Sequence, residues 1–220
     1  MATVLVTGSN RGIGLAFVEQ LKARGDTVIA TCRQETPELK ALGVEVASGI
    51  DVSLETSLDL LAEKLAGRSL DVLINNAGLL SVESFEQLDF SSIQRQMEVN
   101  AYGPLRVTHK LSPFLRRGSK VALLTSRMGS IADNGSGGYY GYRMSKAALN
   151  AAGKSLAIDL APRGIAVALL HPGYVKTEMT AGRGSVEPAA AARDLLARID
   201  ALELGNSGSF WHANGELLPW

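Results

Sequence analysis

The amino-acid sequence predicts a doubly wound α/β fold, a parallel sheet of about seven strands with helices on both faces. Three observations lead there. Short β-rich runs alternate with helix-patterned stretches along the whole chain, an order that calls for parallel pairing and right-handed crossovers. A glycine-rich turn follows the first run directly. No repeat, low-complexity tract or linker breaks the pattern, so residues 1–220 are expected to form a single domain.

The strand-like runs are Thr3–Thr7, Thr27–Cys32, Val44–Val46, Asp71–Asn75, Lys120–Thr125 and Ile165–Leu170, with a weaker one at Ser209–His212. After the first, Ile13, Ala16, Phe17 and Leu21 share one face of a helix that stops at Gly25, a residue suited to the C′ position. Further helices are expected near Leu54–Ala66, Ile93–Leu115, Tyr142–Ala161 and Pro188–Ala201. The glycine-rich stretch from Gly129 to Gly141 is a loop, and Glu178 to Glu187, with Gly182 and Gly184, has the look of a mobile lid.

Composition narrows the setting. Hydrophobic residues make up 46% of the chain, yet no apolar run approaches the roughly 20 residues that span a bilayer. The apolar segment Val4 to Val6 runs straight into the glycine turn, leaving no room for a secretory signal. Cys32 is the only cysteine, which suits a reducing compartment, and the cytoplasm is the expected location. Lysine plus arginine and aspartate plus glutamate each total 22, so neither nucleic acid nor an anionic membrane is expected as a partner.

The first chemical feature is Thr7-Gly8-Ser9-Asn10-Arg11-Gly12-Ile13-Gly14. A dinucleotide pyrophosphate needs close approach of backbone and a helix N-terminus with free N–H groups. Glycines at 8, 12 and 14 permit both. Their G-x3-G-x-G spacing differs from the G-x-G-x-x-G fingerprint, but the position between a strand and an amphipathic helix is the same. The second strand ends in Thr31-Cys32-Arg33-Gln34, without the carboxylate that would hold an NAD ribose. Arg33, with Arg11 as a second cation, suits a 2′-phosphate instead, so NADP(H) is expected ahead of NAD(H).

Further along come Asn75-Asn76-Ala77-Gly78, Asn100 within Val99-Asn100-Ala101, Ser126, Tyr142-x3-Lys146 and Pro172-Gly173. With the glycine turn, this set resembles the short-chain dehydrogenase/reductase family almost end to end. Ser126-Arg127-Met128-Gly129-Ser130 and the Leu218-Pro219-Trp220 ending resemble its small carbonyl-reductase and C-factor-like branch. The resemblance implies a Rossmann-type sheet and hydride transfer between a nicotinamide and a small-molecule carbonyl or alcohol. It implies Tyr142 as acid/base, Ser126 orienting the carbonyl, Lys146 on the nicotinamide ribose, and Asn100 holding a water that links Lys146 to solvent. It places Gly8, Ser9, Asn10, Arg11, Gly12, Ile13 and Gly14 on the cofactor, Asp51 and Val52 near the adenine, Asn76, Ala77 and Gly78 along it, and Pro172, Gly173, Val175 and Thr177 beside the nicotinamide. It also implies a homodimer or homotetramer, paired through the helices at Ile93–Leu115 and Tyr142–Ala161.

The residue types support that chemistry directly. Reducing a carbonyl requires a proton at oxygen as hydride reaches carbon. Lys146 lies four residues after Tyr142, on the same helical face, so its charge is expected to lower the phenol's pKa. A shift from about 10 to about 7 would require roughly 4 kcal/mol. Ser126 and Tyr142 stand 16 positions apart, longer than the family pattern, and Tyr139, seven residues before Lys146, is the competing acid. His109, His171 and His212 show no metal-ligand spacing, so no metal site is expected; His109 and His212 are expected to be structural or surface groups, and His171 to serve the loop at Pro172-Gly173. Two rivals remain at this level: a dinucleotide-binding signalling protein with little turnover, and a nucleotide-sugar epimerase. The first has no use for the four-residue set, and the second needs a larger C-terminal region.

Overall fold

In the computed structural model, which describes residues 1–220, the alternation appears as expected. In chain order the elements are β1 (Thr3–Thr7), α1 (Gly12–Ala23), β2 (Thr27–Cys32), α2 (Pro37–Ala41), β3 (Glu45–Ser48), α3 (Glu55–Lys64) and β4 (Leu70–Asn75). They continue with α4 (Phe90–Met97), α5 (Gly103–Leu111), β5 (Leu115–Leu124), α6 (Tyr140–Leu160), β6 (Ala166–His171), α7 (Pro188–Asp200) and β7 (Phe210–His212). The strands form one seven-stranded parallel sheet in the order β3-β2-β1-β4-β5-β6-β7. Strand order reverses between β1 and β4, and in such sheets the crevice at the C-terminal ends of these strands receives ligands.

Side chains alternate across the sheet and both faces are covered. Val4 and Val6 of β1 face the core built with α1 and α7, whereas Leu5 faces the core built with α3, α5 and α6. Each fully buried leucine contributes about 1.5–3 kcal/mol, so Leu5, Leu61, Leu73, Leu123 and Leu169 form a substantial part of the second core. Gly153 lets α6 lie close on β5 and β6, because a Cβ there would stand 2.7 Å from side-chain carbons of Leu123 and Leu169.

Several local expectations change. The single helix expected over Ile93–Leu115 is divided into α4, a π-helical turn at Glu98–Tyr102, α5 and a short 3-10 turn at Ser112–Phe114. The extra residue of the π turn accompanies the Asn100 side chain, which is tied to the backbone of Leu79. β5 starts at Leu115 rather than Lys120, because Leu115 pairs with Leu70 ahead of an irregularity in the ladder; polar Arg116, Arg117 and Ser119 hide that start from a hydrophobic pattern. Helix α2 was not expected, since five residues carry no period, although Thr36 caps it and Pro37 opens it. The segment expected as a lid is a hydrogen-bonded lobe: Lys176 N–H donates to Val186 O at 2.8 Å, and Ser185 N–H to Tyr174 O at 2.7 Å. No helix is long and apolar enough to cross a membrane.

Candidate active site

The glycine turn and the Asn-Asn-Ala-Gly segment meet at the strand-order reversal. Asn76 and Ala77 donate their backbone N–H groups to Thr7 Oγ1 at 3.0 and 3.1 Å, and Asn76 Nδ2 donates to Thr7 O and Gly8 O. Gly8 has φ of +66°, and a Cβ on it would lie 2.8 Å from Ala77 Cα; one on Gly14 would lie 2.1 Å from Gly8 O. Here only glycine fits. The backbone N–H groups of Gly12, Ile13 and Gly14, in the first turn of α1, have no acceptor within the chain. Free donors at a helix N-terminus beside glycine-lined backbone fit a pyrophosphate in both shape and charge.

The four residues expected to carry the chemistry come together from three elements. Asn100 on the π turn, Ser126 just beyond β5, and Tyr142 and Lys146 on α6 are all buried. Tyr142 and Ser126 line one cavity of ≈ 380 Å³. Lys146 Nζ lies 5.7 Å from the centroid of the Tyr142 ring and donates to Leu124 O at 2.8 Å. Asn100 Nδ2 donates to Leu79 O at 2.8 Å and to Ser145 Oγ at 3.0 Å, while Leu79 N–H donates to Asn100 Oδ1 at 2.8 Å. Gly78 sits between Asn100 and Lys146, where a Cβ would come 3.3 Å from Asn100 Oδ1 and 3.8 Å from Lys146 Nζ. The turn after Ser126 lies directly against α6, with a Cβ on Gly129 only 2.7 Å from the Lys146 carbonyl carbon.

Electrostatics reverse one expectation. Burial pushes the Tyr142 phenol up to about 12, and the Ser126 hydroxyl only partly opposes that. Burial also pulls Lys146 down to about 8. The lysine therefore does not by itself lower the phenol in the protein alone. The cost of placing tyrosinate in a dry pocket exceeds what an ammonium bonded to a backbone carbonyl returns. Tyr139 differs from Tyr142 in position: it precedes α6 at φ of +52°, is 36% exposed, and stands outside the cavity wall.

Other expected residues fall into place unevenly. Ser9 is wholly buried and its hydroxyl donates to Val6 O at 2.6 Å, so it holds the turn from inside instead of facing a ligand. Asn10 Nδ2 donates to Gln34 O at 3.1 Å. Arg11 is ion-paired with Glu178 on the lobe after β6, so it is not a second free cation; Arg33, exposed after β2, is in no ion pair. Asp51 Oδ1 accepts from the backbone N–H and Oγ of Ser53, and Val52 is buried against Gly103. Ile13, Pro172, Gly173, Val175 and Thr177 share the cavity wall with Tyr142, and the Thr177 methyl faces Gly12.

The structure adds residues that sequence reasoning passed over. His171, expected only to serve the loop at Pro172-Gly173, lines the cavity. Burial first, then His212 and Arg127, pulls its imidazole down to about 3, so it is neutral, and its Nδ1 is buried without a partner. Glu83, 3% exposed, accepts from Gly141 N–H at 3.2 Å and from Gln96 Nε2 at 2.6 Å, while its carbonyl accepts from Tyr139 N–H at 2.8 Å. It thereby caps α6, which has no side-chain cap of its own. No sequence signal marks a cap 58 residues away. Arg143, inside the Tyr-Arg-Met-Ser-Lys motif, bridges Met128 and the glycine-rich loop, which accounts for how the long Ser126–Tyr142 interval is held.

Comparison with known proteins agrees with this geometry. The family model for short chain dehydrogenases matches residues 2–187. The chain is 42% identical over 226 residues to the 1-hydroxy-2-glutathionyl-2-methyl-3-butene dehydrogenase of Rhodococcus sp. (strain AD45), covering 100% of both chains. Among solved structures, the carbonyl reductase Sniffer of D. melanogaster superposes with a TM-score of 0.94 at 29% identity, covering 100% of both chains. The NADPH-bound carbonyl reductase from chicken fatty liver gives 0.90 at 27% identity, covering 100% of this chain and 99% of that one. Sequence, fold and site therefore agree that the chain is an oxidoreductase belonging to the short-chain dehydrogenase/reductase family.

Proposed function

We propose that the protein is an NADP(H)-dependent carbonyl reductase in which Tyr142 is the proton donor. The observation that carries this reading is the meeting of Tyr142 and Ser126 in one cavity, with Lys146 behind the phenol ring and the glycine turn at the neighbouring strand ends. A bound nicotinamide supplies hydride to the carbonyl carbon. The Tyr142 hydroxyl gives its proton to the carbonyl oxygen, which Ser126 holds in place. A phenol pushed up to about 12 stays protonated at neutral pH, so the protein alone is set for reduction; the reverse reaction needs added positive charge to stabilise tyrosinate. Asn100 uses both amide hydrogens on Leu79 and Ser145, so its part is to fix the Ser145–Lys146 turn of α6 against the π turn, with a remaining Oδ1 lone pair for water. Gly8, Asn10, Gly12, Ile13, Gly14 and Asn76 to Gly78 hold the pyrophosphate and ribose. Asp51 and Val52 flank the adenine, and Pro172, Gly173, Val175 and Thr177 flank the nicotinamide.

Arg33 supports NADP(H) over NAD(H), because it is the exposed cation after β2 with no acidic partner. A charge-assisted pair with a 2′-phosphate is worth about 1.5–3 kcal/mol. In calorimetric titrations NADPH should therefore bind at least about tenfold more tightly than NADH, and Arg33→Asp should erase or invert that order. Tighter NADH binding by the unaltered protein would refute the assignment. The reaction itself is tested by loss of NADPH absorbance with a panel of aldehydes, ketones and quinones.

The same reading includes a homodimer or homotetramer. Tyr102 and Leu105 beside and on α5, and Met144 and Ile158 on α6, are exposed large apolar residues, of the kind a two-fold interface covers. Light scattering at micromolar concentration should show at least a dimer; a monomer alone contradicts this.

A further inference from the structure

The cavity beside Tyr142 and Ser126 holds two guanidinium groups that proton transfer does not use, Arg127 and Arg143. They differ in how their charge is met. Arg127 is ion-paired with Asp133 at 2.5 Å and Glu216 at 3.4 Å. Arg143, the residue after Tyr142, bonds only neutral acceptors. Its Nε donates to Gly137 O and Gly138 O at 3.3 and 3.2 Å, one terminal nitrogen to Met128 O at 3.4 Å, and the other to Ser136 Oγ at 2.8 Å. A guanidinium carries five N–H groups, so one hydrogen on each terminal nitrogen is left over. Asp133, the one carboxylate on the same cavity wall, has its charge met by Arg127.

A half-buried cation without an anion leaves attraction unused, since its charge is less screened than at an open surface. Arg143 is also held in place by two separate segments, 128 and 136–138. A guanidinium fixed in advance loses little freedom when it binds, and its planar fork matches a carboxylate. Accepting Tyr142 and Ser126 as the reacting end of the cavity, we propose that Arg143 selects carbonyl substrates that carry a carboxylate away from the reacting carbon. A cavity of ≈ 380 Å³ is of the size that encloses such a small molecule.

The test has a kinetic arm and a binding arm. In the first, 4-carboxybenzaldehyde and its methyl ester are compared as substrates with NADPH. The acid should have the higher kcat/KM by about 10- to 100-fold, the range for a hydrogen bond to a charged partner. Arg143→Gln should remove that preference, and Arg143→Lys should keep part of it. In the second arm, calorimetry compares two compounds that cannot react, 4-methylbenzoate and 4-methylbenzamide, with the same order expected and the same loss in Arg143→Gln. If Arg143 only ties the loop to Met128, acid and ester will be used equally by the wild type and will decline together in Arg143→Gln. That result overturns the proposal, as does an acid preference that survives in Arg143→Gln. If no aldehyde is reduced at all, the reductase reading fails, yet the benzoate titration still decides the role of Arg143. No preference for benzoate over benzamide sinks it.

Discussion

Tyr142→Phe should lower kcat by about 10²- to 10⁴-fold, the usual cost of losing a general acid, while leaving cofactor affinity and the fold nearly intact. The substitution removes one hydroxyl from a ring that is 8% exposed and fully embedded in the cavity wall. The surroundings already disfavour charge there, as the raised phenol shows, so phenylalanine fits them well. Tyr139→Phe is the paired control. Its ring lies outside the cavity, so turnover should fall by less than about threefold, within the range of an indirect surface effect. Steady-state kinetics on both variants, with calorimetric cofactor affinities, decides the matter. Near-normal turnover in Tyr142→Phe beside an inactive Tyr139→Phe would transfer the acid role to Tyr139.

Lys146→Met should separate activity from stability, in opposite directions. Burial pulls Lys146 from 10.5 down to about 8, a disfavour of about 3 kcal/mol for the charged form. The folded pKa is below the unfolded one. Protonated Lys146 therefore opposes folding in full below about pH 8, and that opposition fades as pH rises from about 8 to 10.5. Methionine removes the penalty but also the bond to Leu124 O, which returns about 1 kcal/mol of loss. The variant should be more stable than wild type by about 1–2 kcal/mol at pH 7, with the gain gone by about pH 10.5. Turnover should collapse, and wild-type kcat/KM should decline as pH rises through about 8, where Lys146 loses its proton. Urea unfolding across pH, with parallel kinetics, checks both halves. A destabilised Lys146→Met at pH 7, or wild-type activity that climbs through pH 9, would contradict the assignment.

These two side chains also mark where local sequence stops being informative. The alternation of strands and helices was legible because side-chain periodicity follows directly from backbone geometry: Val4 and Val6 against Leu5, or Ala16, Phe17 and Leu21 on one face of α1. The glycine turn was legible for a similar reason. Its backbone needs positive φ at Gly8 and Gly12 and close approach at Gly14, and each need leaves a residue type in the chain. The spacing of four in Tyr142-x3-Lys146 suffices to place both side chains on one helical face.

What the tertiary structure decided is everything that depends on a partner far away in sequence. The π turn at Asn100 accompanies bonds to Leu79, 21 residues earlier, so no periodicity within Ile93–Leu115 could reveal the break. Glu83 caps α6 from 58 residues away, and Arg11 meets Glu178 across 167. Arg33 and Arg11 look alike in the sequence, and only the fold gives one an acidic partner and leaves the other without. The sign of the Tyr142 shift belongs here too. Spacing placed a lysine near the phenol and predicted a lowered pKa, but the balance of burial against nearby charge is set by all the surrounding chain. Charge attraction is pairwise and can be anticipated from two residues four apart. Desolvation is collective, and exists only once β4, β5, α4 and α6 have closed around the site.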